Sequence, residues 1–171
     1  MQRTIAPAQG ATAVDILVND HRTIKDLLRT LVENTSRESR MQCLKELQGV
    51  LTVHNATEEN LIYPALNKIG KKMFESLHLY YETANADITA FEIDTMLKEG
   101  ADDDKIQAKV EKFRDAILEH IDDEESKAFP HLQDAADAAE TQQLNQAVQA
   151  FRGSISFEPM AQRMGSAGGT M

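Results

Sequence analysis

A chain of 171 residues with 42% hydrophobic and 27% charged side chains has the composition of one soluble globular domain, and it contains no apolar run long enough to cross a bilayer. Its formal net charge of −10 argues against nucleic-acid binding, because contact with phosphates needs clustered Lys and Arg. The single cysteine, Cys43, excludes an internal disulfide, and the N-terminus lacks the apolar segment of a secretory signal, so we expect a cytoplasmic protein.

Two amphipathic helices are predicted in the first half of the chain. Apolar residues alternate at spacings of three and four over about Val14 to Glu33 and again over about Arg37 to Asn67. The segment Asn34-Thr35-Ser36 separates them. Both apolar stripes are expected to face a common core.

A third helix is predicted over about Met73 to Lys98, and its apolar residues allow two interpretations of the buried face. One stripe runs through Phe74, His78, Tyr81, Asn85 and Ile88, and the other runs through Leu77, Tyr81, Ala84, Ile88 and Phe91. His78 faces the core in the first interpretation and lies on the flank in the second.

The remaining elements complete an all-α fold. An acid-rich turn at Gly100 to Asp104 leads to a fourth helix that continues to Glu124, and Pro130 marks a kink or an end. A short amphipathic segment follows at about Ala138 to Phe151. Long helices with short connections predict an up-down-up-down four-helix bundle with a short extra C-terminal helix.

This pattern predicts four segments along the chain. Residues 1–12 are expected to form a flexible tail and residues 13–135 the bundle. Residues 136–152 are expected to form the C-terminal helix, and residues 153–171, which include GSAGGT, a disordered tail.

A phrase of thirteen residues occurs twice. HNATEENLIYPAL begins at His54 and HIDDEESKAFPHL begins sixty-six positions later at His120, with His, Glu, Glu, an aromatic residue, Pro and Leu in register. Residues four apart lie one turn apart on the same face of a helix, so each copy can direct an imidazole and a carboxylate at one point. A single His–Glu pair at this spacing is common on exposed helix surfaces. Two copies on apolar stripes instead predict that the fold has two matching halves around a metal site.

Polar side chains interrupt the apolar stripes of all four predicted helices at one level. Burying such groups is unfavourable unless they are paired or bound to a metal, and nitrogen and oxygen donors suit iron, manganese or zinc. Two carboxylates from opposite copies of the repeat can bridge two ions, which favours a dinuclear site. The predicted ligands are His21, His54, Glu58, His78, His120 and Glu124.

Four further side chains are candidates for supporting roles. Tyr81 and Glu82 lie within one turn of His78 on the third helix, so either could be an additional ligand or a hydrogen-bond partner of a ligand. Glu59 and Glu125 follow the predicted ligands directly and point about 100° away from them, which favours ion pairs or indirect contacts.

The segments DHRTI, HNATEENLIYP, SLHLYYETANAD and HIDDEESKAFP resemble the hemerythrin-like, or HHE cation-binding, family over about residues 15–132. The resemblance implies a four-helix bundle with a non-haem di-iron centre, in which two iron ions (Fe2+/Fe3+) are oxo- or hydroxo-bridged. It also implies that the six predicted ligands hold the iron, with Glu58 and Glu124 as bridges. An open position on one iron is then where O2, NO or peroxide binds.

One position differs from the oxygen-carrying members of that family. Those carriers use five histidines and two carboxylates, whereas this chain has four histidines at suitable places, and Phe74 stands where the carriers have another ligand. Water, Tyr81 or Glu82 could fill the gap. A harder oxygen ligand stabilises the ferric state, so the difference favours oxidation over reversible O2 carriage.

Two classes of function follow from the resemblance. The first is a binding protein that uses O2, NO or peroxide for sensing, storage or detoxification. The second is an enzyme that consumes peroxide or NO, or a protein that handles iron. The chain has no flavin or nicotinamide fingerprint and no P-loop, so an enzyme would need an external redox protein as electron donor. We expect no nucleic-acid or membrane partner and a monomer or weak dimer. A third possibility is an interaction module with a closed structural metal site.

Overall fold

The structure, a computed structural model, describes residues 10–155 except for the side chain of Phe74. Within this range the chain is helical almost throughout. Most of the two predicted tails, residues 1–9 and 156–171, lies outside the described residues. The α-helices are α1 (Ala13–Glu33), α2 (Arg37–Thr57), α3 (Tyr63–Lys68), α4 (Met73–Glu99), α5 (Asp103–Asp123), α6 (Phe129–Ala135) and α7 (Ala138–Ser154).

Polar side chains and one glycine set the helix ends. Thr12 begins α1 and Asp137 begins α7 with reciprocal capping boxes, and the Asp102 carboxylate accepts hydrogen bonds from the first amides of α5. Gly100 ends α4 with φ +76°, a left-handed conformation that is strained for residues with a Cβ. The acid-rich turn predicted before the fourth helix therefore acts as a helix cap.

Each copy of the repeated phrase contains one turn of π-helix. These turns are Glu58–Ile62 and Glu124–Ala128, and they join α2 to α3 and α5 to α6. The amides of Tyr63 and Phe129 each donate to the carbonyl five residues earlier. Single π turns inside α-helices occur frequently at functional sites. The repeat in the sequence is therefore a repeat of backbone geometry as well.

The π turns accommodate the two prolines of the repeat. Pro64 and Pro130 lie in the first turn of α3 and α6, where a helix tolerates a missing N–H. With the five-residue spacing, the carbonyl left without an amide by Pro64 is that of Glu59, and it accepts a hydrogen bond from the Tyr80 hydroxyl at 2.6 Å. The helices therefore continue past both prolines.

The long helices form a four-cornered bundle. Helix α1 packs against α2 and α5, and α4 packs against the same two helices from the opposite corner. Helix α7 lies across α1, α2 and the first π turn. The predicted all-α fold, a four-helix bundle with an extra C-terminal helix, is confirmed. Within residues 10–155 no helix is both long and apolar enough to span a membrane.

The bundle has two apolar clusters with a layer of largely buried polar side chains between them. This polar layer is formed by His21, His54, Glu58, His120 and Glu124. On α1, for example, Leu17 belongs to one cluster and Ile24 to the other, and His21 lies between them. The first cluster includes Ile24, Leu28, Leu44, Leu47, Leu51, Ile93, Ile106, Val110, Phe113 and Ile117. The second includes Ala13, Leu17, Ile62, Tyr63, Leu66, Leu79, Phe129, Leu132 and Val148. The polar layer is thus shielded from solvent above and below.

Both predicted stripes on the third helix are wrong. Leu77, Tyr81, Ile88 and Phe91 are exposed, and α4 instead turns a third face to the core. That face consists of Ser76, Leu79, Thr83, Ala86, Ala90, Ile93 and Leu97. It includes hydroxyls that look unsuitable for a core, but Ser76 and Thr83 donate to carbonyls of their own helix. Periodicity alone could not select this face, because apolar residues lie on opposite sides of the helix.

Candidate metal centre

Four side chains from the two halves of the bundle converge in the polar layer. They are His21 of α1, His54 at the end of α2, Glu58 of the first π turn and Glu124 of the second. One nitrogen or oxygen atom of each lies within 4.8 Å of the others, and all four residues are buried. The two copies of the repeated phrase therefore meet, as their register predicted.

The short distances run between imidazole nitrogens and carboxylate oxygens. His54 Nε2 lies 3.1 Å from Glu58 Oε1 within the first copy, and His120 Nε2 lies 3.5 Å from Glu124 Oε2 within the second. His21 joins the two copies, since its Nε2 is 3.2 Å from Glu124 Oε2 and 3.9 Å from Glu58 Oε1. Three histidines thus point their Nε2 atoms at the same pair of carboxylates.

Several of these atoms lack an ordinary partner. His21 Nε2, Glu58 Oε1 and Glu124 Oε2 are buried without a hydrogen bond to any of the described residues. Leaving a buried polar atom unsatisfied costs about 1–3 kcal/mol, and more for a charged group. A cation among these atoms would satisfy all three, and nitrogen and oxygen donors suit iron, manganese or zinc. The residues present therefore fit a metal ion.

Each of the three histidines also has a carboxylate behind it. The opposite ring nitrogen, Nδ1, faces an acidic side chain at 2.8–3.4 Å. Metal-binding histidines characteristically direct their second nitrogen at such a group, which fixes the tautomer and the orientation of the ring. The pairs are His21 with Glu125 at 2.8 Å, His54 with Asp20 at 3.4 Å and His120 with Glu82 at 3.0 Å.

Two of these outer carboxylates are held by cations. Arg152 of α7 makes two hydrogen bonds to Asp20, at 2.5 and 3.0 Å, and Lys25 of α1 lies 3.1 Å from Glu125. Arg–carboxylate pairs of this two-bonded kind restrict geometry most strongly. The C-terminal helix therefore contributes to the order of the polar layer, a role that its sequence did not indicate.

Tyr63 is a site residue that the sequence analysis missed. Its hydroxyl donates to Glu124 Oε1 at 2.9 Å and to Glu58 Oε2 at 3.1 Å, and it lies 3.4 Å from His120 Nε2. The side chain is fully buried. The available signal was the aromatic position of the repeat, where the second copy has Phe129. A phenol in one copy and a phenyl ring in the other makes the two halves chemically unequal.

The charges in the layer shift one another's pKa values. Burial and the charge of Glu124 raise the pKa of Glu58. Burial also acts to raise the pKa of Glu124, but its close contact with His21 and the charges of His120 and His54 hold it below its ordinary value. Burial acts to lower the pKa of His54, yet the charge of Glu58, the contacts with Asp20 and Glu58 and the charge of Glu124 together outweigh it and raise that pKa to about 10. Without metal the layer therefore retains protons, which a cation has to displace.

The structure does not bring His78 into this cluster. Its side chain is 62% exposed, and its Nε2 lies 3.1 Å from Glu82 Oε1 in a separate group with Asp123 near the surface. Glu82 connects the two groups, since its other oxygen faces His120. Tyr81 points to solvent. His78 lies outside because α4 turns its Ser76/Thr83 face to the core.

Of the six predicted ligands, the structure assembles His21, His54, Glu58, His120 and Glu124 around one space. Of the supporting candidates, Glu82 and Glu125 contact histidines of the layer, whereas Glu59 points away and Tyr81 is exposed. The side chain of Phe74, predicted to replace a carrier ligand, lies outside the described residues.

Comparison with known proteins agrees with this arrangement. The hemerythrin HHE cation-binding domain matches residues 12–132, from the capping residue of α1 into α6. The chain belongs to this family. The matched range contains every histidine and carboxylate of the polar layer. No curated protein matches the chain closely enough to count as a relative.

A solved structure of the HHE family shares the fold. It is the crystal structure of a hemerythrin HHE cation-binding domain-containing protein from Mycobacterium kansasii, with a TM-score of 0.67 and 22% sequence identity. The similarity covers 84% of this chain and 89% of that chain. At 22% identity the similarity shows a shared fold, and it does not show which ligand this HHE protein binds.

A cavity of about 150 Å³ lies beside the polar layer of this HHE protein. Helices α2, α4 and α5 form most of its wall, and His54, His120 and Glu82 line its inner end. The rest of the lining combines apolar side chains, which are Ile24, Leu51, Ala86, Phe113, Ala116, Ile117 and Ile121, with the polar side chains Asn55, Thr83, Asn85, Thr89 and Glu119. A small molecule could reach the layer from this side.

We expect that Asp20→Asn weakens metal binding by about 10–100-fold without unfolding the HHE domain. An amide cannot hold the imidazole of His54 as the Asp20 carboxylate does, and it also loses its charge pairing with Arg152. Competition with a chromophoric chelator measures the change in affinity. Asp26→Asn is the matched control, because Asp26 lies on the same helix and pairs with Arg29 at the surface. Equal losses in both variants would refute the proposed role of Asp20.

Proposed function

We propose that this protein holds two non-haem iron ions in the polar layer and uses them to bind O2, NO or peroxide for sensing, storage or detoxification. Membership of the HHE family and the buried His/Glu cluster identify a cation-binding protein. The observation that carries the finer proposal is the convergence of one unsatisfied carboxylate oxygen from each copy of the repeat, on Glu58 and Glu124, with the unsatisfied Nε2 of His21. A dinuclear site accounts for why the chain contains the phrase twice.

The ligands in this proposal are His21, His54 and His120, with Glu58 and Glu124 as the carboxylates shared by two ions. Each carboxylate lies close to a histidine of its own copy, and His21 contacts both. When bound, iron supplies a redox-active centre with an affinity for small diatomic or peroxide ligands. His78 lies in the separate group with Glu82 and Asp123 near the surface. It could bind the same ions only if α4 rotated to turn this side chain inward.

The protein's own groups perform three tasks around such a centre. The outer carboxylates Asp20, Glu82 and Glu125 fix the orientation of the three imidazoles. The two apolar clusters exclude water from above and below. The Tyr63 hydroxyl offers a hydrogen-bond donor directed at both central carboxylates, and burial together with the charges of Glu58 and Glu124 raises its pKa well above the ordinary value, so it stays protonated.

An enzyme that consumes peroxide or NO is the second candidate. The structure assembles three histidines around the layer, fewer than the five of the oxygen carriers, and places a tyrosine hydroxyl among the carboxylates. Oxygen-rich surroundings favour the ferric state, which favours consumption of an oxidant over its release. Because the sequence has no flavin or nicotinamide fingerprint, we propose that an external redox protein supplies electrons in this case. An iron-handling role would use the same residues.

One experiment separates these functions. The protein is loaded anaerobically with Fe(II), and its visible absorption is followed as O2 is admitted and then removed with argon. A reversible iron-dependent band supports binding or sensing, while an irreversible change that consumes O2, peroxide or NO with an added reductant supports the enzyme. Glu58→Ala is the control and should show neither. The absence of any iron-dependent absorption in the loaded protein would exclude iron as the functional metal.

A further inference from the structure

The outer side of α4 carries a stripe of exposed apolar side chains. Leu77, Tyr81, Ile88 and Phe91 each expose more than half of their surface, and Ala84 in the middle is also exposed. Among the side chains that the structure describes, the other large exposed apolar ones are Met73, on the same helix, and Leu118 on α5. Single exposed apolar residues are normal, but a continuous stripe on one helix marks an interaction surface.

The spacing of this stripe is that of a coiled-coil seam. Its members are separated by four, three, four and three residues, and Thr95 continues the pattern. Such alternation places them at the a and d positions of a heptad repeat. The buried residues of α4, from Ser76 to Leu97, occupy the opposite side of the helix. Helix α4 therefore has one seam for its own bundle and a second seam without a partner among the described residues.

We propose that the second seam binds the same seam of a second copy of this protein, with the two α4 helices antiparallel. In an antiparallel pair of heptad helices each a position faces a d position of the other copy. One register then places Tyr81 against Phe91 and Ala84 against Ile88, with Leu77 against Thr95 at both ends. In this register the two aromatic rings face each other, and Ile88 and Leu77 each face a smaller side chain. The seam is therefore complementary to itself. A two-fold dimer requires such self-complementarity.

The flanks of the seam fit the same register. His78 of one copy lies opposite Glu92 of the other, and the two Asn85 side chains face each other near the two-fold axis. Across an antiparallel interface these pairings are attractive or neutral. On the other flank, Asp87 is drawn towards α2 by a hydrogen bond from Asn55 at 3.2 Å. This hydrogen bond occupies one oxygen of the carboxylate, and the Asp87 residue as a whole remains exposed.

The size of the surface indicates a dimer of modest affinity. Aromatic side chains bury roughly 150–250 Å² when fully covered, so the half-exposed side chains of two seams would bury on the order of 1,000 Å² in total. Specific interfaces usually begin at about this area. We therefore expect a dissociation constant in the micromolar range, so the protein changes from monomer to dimer within accessible concentrations.

Sedimentation velocity over a concentration series of the full chain tests the proposal. We expect the wild type to shift from monomer to dimer, and Ala84→Glu and Phe91→Glu each to raise the dissociation constant at least tenfold. Leu118→Glu adds the same charge at an exposed apolar position on α5 and should not change it. Because all three positions are exposed, circular dichroism should show unchanged helix content. A wild type that stays monomeric to several hundred micromolar, or a dimer that tolerates both seam variants, overturns the proposal.

Disulfide cross-linking tests the direction of the helices. Leu77 and Thr95 are 18 residues apart, roughly 27 Å along α4. An antiparallel dimer therefore joins Leu77→Cys to Thr95→Cys in a mixture of the two variants, while neither variant cross-links alone. The buried Cys43 is present in every sample, and the wild type controls for it. Cross-linking of Leu77→Cys with itself would indicate parallel helices and overturn the antiparallel arrangement.

Discussion

Replacing Glu58 with alanine is expected to reduce bound metal below two ions per chain, whereas Glu59→Ala keeps full occupancy. The two residues are adjacent, but the Glu58 carboxylate is buried beside His54 and Tyr63, whereas Glu59 is half-buried and forms no ion pair with the layer among the described residues. Truncating Glu58 removes one of the two carboxylates that could bridge the ions. Elemental analysis of protein purified after identical loading measures the difference.

The adjacent pair makes the comparison stringent. Both variants lose one carboxylate from the same turn of helix, so general effects of charge and helix propensity cancel. Circular dichroism should show nearly equal helix content. If Glu58→Ala retains full metal occupancy, or if Glu59→Ala loses as much metal, then the polar layer is not the metal site. Glu124→Ala should repeat the result in the second copy of the phrase.

The register of the repeat explains why much of the site could be predicted. His54 and Glu58, and likewise His120 and Glu124, are four residues apart, so local helix geometry alone brings each pair together. The pairing of the two copies follows from bundle topology, since both lie on apolar stripes. The sequence pattern did not predict the π turns. Because they occur at the same place in both copies of the repeat, the two copies keep equivalent backbone geometry.

The outer contacts could not be predicted, because they join residues far apart in the sequence. Arg152 reaches Asp20 across 132 positions, and His21 reaches Glu125 across 104. Nothing local in the sequence specifies either distance. The prediction for Glu125 was that it points away from the ligand face and makes an ion pair or an indirect contact, and the structure identifies its partners as His21 and Lys25.

Helix α4 shows where periodicity fails. The seam through Leu77, Tyr81 and Phe91 has the stronger apolar pattern, yet the buried face includes Ser76 and Thr83. The small hydroxyl side chains satisfy themselves on their own helix and allow close packing. When a helix has two apolar faces, the pattern in the sequence alone does not show which of them faces its own bundle. The exposure of His78 and the exposure of the apolar seam therefore have one cause, which is the face that α4 turns to the bundle.

Removing the metal is expected to lower the melting temperature by about 10 °C. A ligand at 1,000 times its dissociation constant stabilises a protein by about 4 kcal/mol, and for a chain of this size each kcal/mol corresponds to about 2–4 °C. The physical reason is the polar layer itself. Without a cation, Glu58 and Glu124 face each other in a buried space, and burial together with that neighbouring charge already raises the pKa of Glu58. Scanning calorimetry of loaded and chelator-treated protein measures the shift.

A Glu58→Gln variant distinguishes this electrostatic cause from simple loss of a bound ligand. The amide keeps the size of the side chain and removes one of the two facing charges, so the chelator-treated variant should melt above the chelator-treated wild type. The same variant should gain little on addition of metal, because a neutral amide is a weak ligand for a hard cation. Both melting temperatures of Glu58→Gln, with and without metal, should therefore lie between those of the chelator-treated and the metal-loaded wild type. If chelation leaves the wild-type melting temperature unchanged, the layer does not bind metal in the folded protein. If Glu58→Gln melts below the chelator-treated wild type, the contact of Glu58 with His54 and its hydrogen bond with Tyr63 outweigh the repulsion between the carboxylates.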